Sequence, residues 1–173
     1  IVLQTLLFIE NRELFDARYP QRNPAVEWDR FGLAVAHTLL RVLPFRISRS
    51  GGSTLAGQLE KIRHSPDGRR GSIVEKFRQL RSASLRAYLD GTNTLPARRE
   101  IALAYLNSVP LGAIPGYGEV HSLGDGLWAW YGAEFAPMNR LLGADTLTAT
   151  GPVSPEQATA YRQLLCLLIA QRR

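Results

Sequence analysis

The sequence predicts a mainly α fold. Apolar residues recur at helical spacing through most of the chain, helix-start signals precede several of those runs, and alternating strand patterns are scarce. Leu3 to Phe8 is a short apolar stretch, compatible with a strand or a buried helix, and Glu10 comes at its end. Between Glu27 and Leu43, Phe31, Ala34, Val35, Thr38 and Leu39 fall at helical spacing, and Pro44 closes the pattern. Ser72-Ile73-Val74-Glu75 reads as a capping box opening a helix, with Phe77, Leu80, Leu85 and Leu89 available for burial. Pro96 suits the first turn of another helix, which runs through Ile101, Ala104 and Tyr105 and ends before Pro110. Ser154-Pro155-Glu156-Gln157 combines an N-cap, a first-turn proline and a second box, and the helix that follows, with Leu164, Leu165, Leu168 and Ile169, is expected to be buried on most sides. Two stretches rich in breakers, Arg63 to Gly71 and Gly112 to Gly126, read as loops too short to be interdomain linkers.

A chain of 173 residues with 45% hydrophobic content is long enough for one full core and lies within the size of a single domain. Its net charge of +6 favours anionic partners such as phosphates and acidic lipid headgroups. Nucleic acid ranks last among them: Trp28, Trp128 and Trp130 do not interleave with a basic stripe, and no zinc-finger spacing or nucleic-acid motif occurs. Cys166 is the only cysteine, which excludes an internal disulfide, and His37, His64 and His121 are too scattered for a metal-ligand pattern. The chain opens on Ile1-Val2-Leu3 without an initiating methionine and closes on Arg172-Arg173, so it is expected to be a segment of a longer protein, any membrane anchor lying outside it. No run reaches the roughly 18 apolar residues needed to span a bilayer.

The most informative stretch is Gly51-Gly52-Ser53-Thr54 with Gln58 and Lys61. Two glycines let the backbone approach a ligand, Ser53 is a good N-cap, and Thr54, Gln58 and Lys61 return to one side of the helix that follows. That side carries a hydroxyl, an amide and an ammonium, while Leu55, Leu59 and Ile62 form an adjacent apolar stripe expected to pack inward. The expectation is an anion cradle facing a cleft. Taken alone, a Gly-Gly turn into a capped helix is also ordinary loop chemistry.

Three motifs occur in order: Glu10-Asn11-Arg12-Glu13-Leu14-Phe15; Gly51-Gly52-Ser53-Thr54-Leu55 with Gln58-Leu59 and Lys61; and Ala104-Tyr105-Leu106-Asn107-Ser108-Val109-Pro110-Leu111-Gly112. Together they resemble the family 51 peptidoglycan glycosyltransferases, the transglycosylase domains of class A penicillin-binding proteins and of monofunctional cell-wall polymerases. The resemblance runs from about Leu6 to Gly132, where Trp130-Tyr131-Gly132 looks like the family's aromatic segment, and Ser154 to Ala170 looks like its closing helix. It implies one lysozyme-like transglycosylase domain over 1–173, on the extracytoplasmic face of a bacterial inner membrane. Its activity would be to polymerise lipid II into β-1,4 glycan with release of undecaprenyl pyrophosphate. By motif position, Glu10 is the general base. The substrate-binding residues are Gly52, Ser53, Thr54, Gln58, Lys61, Arg70, Arg78, Arg81 and Asn107. No metal ligand is assigned, although the resemblance leaves a divalent cation, Mg or Mn, open. The implied partners are lipid II, the growing glycan strand, the membrane surface and a downstream domain of the same protein.

The sequence departs from the family pattern at several places. Asn11 stands where the family has Asp, Ala56-Gly57 replaces Thr-Gln in the second motif, and Gly124, flanked by Glu119 and Asp125, replaces a fifth-motif Glu. Counted back from Leu89-Asp90, the position of the family's second glutamate is Ser82, and a serine hydroxyl cannot act as a carboxylate. Loss of that acid keeps open a second reading, a non-catalytic lipid II-binding scaffold or regulator. A third is a lytic enzyme cleaving finished glycan with Glu10 as acid, although neutral glycan gives no reason for the basic cluster.

Overall fold

The computed structural model describes residues 2–26, 54–64, 73–143 and 153–171. Within them the chain forms seven helices and one two-stranded sheet, as the periodicity predicts. The helix expected over Glu27 to Leu43, the Gly51-Gly52-Ser53 turn, Arg69, Arg70 and Ser72 lie outside the described residues. The backbone falls into two compact units, Ile1–Arg12 with Ala102–Arg173, and Glu13–Ile101.

The first unit begins with α1 (Val2–Glu10), which settles Leu3 to Phe8 as helix and buries Leu6 and Leu7. The chain enters this unit again in the second half of α4 (Leu95–Leu106), whose Ala102 and Tyr105 are buried. A hairpin follows, β1 (Pro110–Ile114) antiparallel to β2 (Gly118–His121), where the sequence predicts only loop. Its turn is built on Pro115-Gly116, with Gly116 at φ +80° and the Tyr117 N–H donating to the Ile114 carbonyl at 3.0 Å. Two helices come next, α5 (Leu123–Tyr131) and α6 (Phe135–Leu141). Ser122 caps α5 by accepting the Asp125 N–H, and Gly132 ends it in the left-handed region at φ +62°.

The closing helix α7 (Pro155–Ala170) carries the predicted capping box in full: the Ser154 side chain accepts the Gln157 N–H, and the Gln157 side chain accepts the Ser154 N–H. It packs against α1, α5 and α6. Leu164, Leu167 and Leu168 are buried there while Ile169 is half exposed, so the helix is covered on one side and not on most. Hydrophobic residues at i, i+3 and i+4 fill one face, while Arg162, Cys166 and Ile169 stand exposed on the other.

The second unit holds α2 (Leu55–His64) and α3 (Ile73–Ala87), which pack against each other, and the start of α4. Leu55 and Leu59 are buried as predicted, and Ala25, Ala56 and Ala83 form a small cluster with Ile101 packed on it. The burial predicted for α3 is reversed. Phe77, Leu80, Leu85 and Leu89 are exposed, and Ala83 and Ala87 take the inner side because close helix packing favours small residues there. The turns between Glu13 and Val26 are organised by Arg98, which is 1% exposed. Its guanidinium donates to the carbonyls of Tyr19 (2.7 Å), Arg22 (2.6 Å), Asp16 (3.3 Å) and Leu14 (3.4 Å) and to the Thr94 hydroxyl (2.8 Å). A buried charge is tolerable only with such saturation. Burial, together with the nearby Arg22, lowers its pKa below the ordinary arginine value.

Candidate functional site

Glu10 is the last residue of α1, half-buried, at the end of a helix where the dipole disfavours negative charge. A hydrogen-bond chain answers that cost: the Gln171 amide Nε2 donates to Glu10 Oε1 at 2.8 Å, and the Tyr105 hydroxyl donates to Gln171 Oε1 at 2.6 Å. Because the Gln171 carbonyl end accepts from a phenol, its amino end must face the carboxylate, so the chain has a fixed polarity. Asn11, in the position of the family's Asp, is buried, and its backbone N–H continues the helix to the Leu7 carbonyl at 3.0 Å. Asn107 is exposed just past α4, its N–H bonded to the Leu103 carbonyl at 3.1 Å. Neither Gln171 nor Tyr105 stands out as an orienting group in the sequence. Gln171 lies 161 residues from Glu10, beyond any local pattern.

In the second unit the predicted polar stripe is only partly formed. Thr54, and not Ser53, precedes α2. Its hydroxyl accepts the Gly57 N–H at 3.1 Å and donates to the Ala25 carbonyl at 3.3 Å, and the residue is 3% exposed. It serves the helix start, so the stripe facing solvent reduces to half-buried Gln58 and exposed Lys61. Arg78 and Arg81 are both exposed one turn apart on α3. Gly52, Ser53 and Arg70 lie outside the described residues.

Sequence reasoning missed the acid on α2. Glu60 is 1% exposed, and its Oε2 accepts the Ser82 hydroxyl at 2.6 Å and lies 3.1 Å from His64 Nε2. Its Oε1 accepts from Arg63 Nη1 at 2.9 Å and Arg86 Nε at 3.1 Å. Burial pushes the carboxyl up, yet the bonds from Ser82 and Arg63 and the charges of Arg86 and Arg63 outweigh it and hold the pKa below the ordinary glutamate value. A carboxylate therefore does sit beside position 82, delivered by the neighbouring helix. The signal available in sequence was the spacing of Glu60 to Arg63 and His64, three and four residues on.

The Transglycosylase family model matches residues 1–164. The chain belongs to the transglycosylase family. No curated protein matches it. Membership carries a glycosyltransferase function of the peptidoglycan-synthesis type, in keeping with the mainly helical fold. Within this transglycosylase, Asp125 occupies the first turn of α5 with its N–H on Ser122, and His121 pairs with exposed Glu119 at 3.2 Å. Of the two acids beside Gly124, Glu119 is thus paired locally, while Asp125 takes part in the helix start through its backbone N–H. Among the described residues no three His, Cys, Asp or Glu side chains converge, and each oxygen of Glu60 already faces two partners.

Proposed function

We propose that this transglycosylase polymerises lipid II, with Glu10 as general base. The observation that carries the reading is the Tyr105–Gln171–Glu10 chain, which aims a half-buried carboxylate from a helix end. A sugar hydroxyl is a weak nucleophile near neutral pH and needs a positioned base. Glu10 takes the proton of the acceptor's 4-hydroxyl as that oxygen bonds to the donor's anomeric carbon. The anomeric carbon–phosphate oxygen bond breaks on the opposite face, giving the inverted β-1,4 link, and the electron pair leaves with undecaprenyl pyrophosphate. That leaving group is already charged and requires cations more than a proton, which Lys61, Arg78 and Arg81, with Arg70, supply. Gln58 and Asn107 add amide contacts to the sugars.

The substrate's lipid tail places the work at the extracytoplasmic surface of the inner membrane. The exposed face of α3 suits that surface: Val74, Phe77 and Leu85 interleave with Arg78 and Arg81 within about 100° of helix arc. A downstream domain in the full protein would make the enzyme bifunctional.

The test is incubation of the full-length protein in membranes with labelled lipid II. Wild type is expected to yield glycan polymer and Glu10→Gln none. Lipid II binding without polymer, weakened by Lys61→Ala and indifferent to Glu10→Gln, would establish a scaffold in place of an enzyme. Release of muropeptides from intact sacculi would establish a lytic one.

A further inference from the structure

Glu60 joins two guanidiniums that would otherwise repel. Arg63 Nη1 and Arg86 Nε bind the same oxygen, which confines those nitrogens to within about 6 Å of each other. Glu60 itself is buried, but the Arg63 and Arg86 side chains are 41% and 51% exposed. Each guanidinium is therefore pinned at one edge by a carboxylate beneath it while the rest of the fork reaches solvent. One acid and two arginines leave a surplus positive charge, and a charged His64 would add to it. The Ser82 hydroxyl and His64 ring occupy the other oxygen, which fixes the carboxylate's rotation and hence the direction in which both arginines are presented.

We propose that Glu60 is a positioning residue that holds Arg63 and Arg86 side by side as a clamp for a diphosphate group. Guanidinium forks match phosphate oxygens in pairs, and a dianionic or more highly charged ligand relieves the repulsion that one carboxylate only partly offsets. The choice of diphosphate rests on the function proposed above; the geometry of the clamp does not. Ser82 belongs to it as the hydroxyl that steadies the acid, which gives the serine a role at a position where the family resemblance leads one to expect glutamate.

The experiment is calorimetric titration of the full chain with inorganic pyrophosphate, and separately with phosphatidylcholine vesicles carrying undecaprenyl pyrophosphate. Glu60→Gln makes the protein more positive, so net charge alone predicts tighter binding; positioning predicts affinity about tenfold weaker. Arg63→Ala with Arg86→Ala is expected to weaken binding at least as much, and Glu60→Gln added to that pair should cause no further loss. A loss in the pyrophosphate arm supports a clamp open to the free anion, and a loss confined to the vesicles supports one that takes the lipid-borne group. Unchanged or tighter binding by Glu60→Gln, or an equal loss in the arginine-less background, overturns the proposal. If Glu60→Gln loses its helical circular dichroism, Ser82→Ala carries the test, since it alters no charge; roughly threefold weaker binding is expected, and unaltered binding overturns the clamp. Glu60-dependent diphosphate binding by a chain that makes no polymer would sink the polymerase reading alone. Polymer made by a chain whose diphosphate binding ignores Glu60 would sink the clamp alone.

Discussion

At Glu10 a helix ends on a negative charge, and the amide of Gln171 meets it from the end of another helix. Replacing Gln171 with Leu keeps the bulk and removes the donor. With Glu10 as the base proposed above, the expected result is a kcat about tenfold lower with little change in KM, since a misaimed base costs the transition state more than the bound substrate. Tyr105→Phe, which removes only the phenol that orients Gln171, should lose less; steady-state assays with labelled lipid II measure both. Glu60 makes a separate prediction about stability and pH. Its folded pKa lies below its ordinary value of 4.5, so its contribution is fully present above about pH 4.5 and is lost as pH falls through the folded value. Melting temperatures taken between neutral pH and about pH 3 should therefore fall more steeply for wild type than for Glu60→Gln. Asp16, lowered to about 2 by its hydrogen bonds from Arg18, titrates in both proteins and cancels in the comparison. Parallel melting curves would mean that the carboxylate's bonds contribute nothing to folding.

Individual elements were legible in proportion to how local their causes are. The box at Ser154 and the proline at the start of α4 act within one turn, and both appear where the sequence places them. The hairpin did not show, because Pro110-Leu111-Gly112-Ala113-Ile114 lacks a period-two pattern and its ladder contains a register shift between Pro110 and Gly112. Side-chain facing on α3 was misread for a tertiary reason. Its larger apolar residues and its alanines are both at helical spacing, and only the partner helix decides which set is inside. The same limit hid Arg98, four of whose five acceptors are backbone carbonyls some 76 to 84 residues away, so no side-chain pattern announces them. Of the proposed site, Glu10, Lys61, Arg78 and Arg81 are named by motif position, whereas Gln171 reaches Glu10 from 161 residues away and Glu60, one residue before Lys61, meets Ser82 only through the packing of α2 on α3. Arg98→Leu leaves several buried carbonyls without donors and is expected to cost about 3 kcal/mol or more in urea unfolding. Ser154→Ala, which removes one half-buried cap, should cost about 1 kcal/mol.

The whole chain carries +6, and among its described residues no helix is long and apolar enough to cross a membrane. The contact with a lipid surface proposed above would combine long-range attraction with shallow burial, and the two parts respond differently to salt. Attraction of a basic protein to anionic headgroups is screened as the Debye length shrinks, whereas burial of apolar area is not. On α3 both parts occupy one face, Arg78 and Arg81 beside Val74, Phe77 and Leu85. Vesicle co-sedimentation with phosphatidylglycerol should therefore show wild-type binding that weakens more than tenfold from roughly 0.05 M to 0.5 M salt but does not vanish. Phe77→Ser with Leu85→Ser should lower binding at every salt concentration by about tenfold or more, leaving the salt slope unchanged. Arg78→Gln with Arg81→Gln should flatten the slope and spare the salt-resistant remainder. If instead the serine pair binds like wild type, the exposed apolar residues of α3 do not meet lipid, and the vesicle binding of this transglycosylase is carried by charge alone.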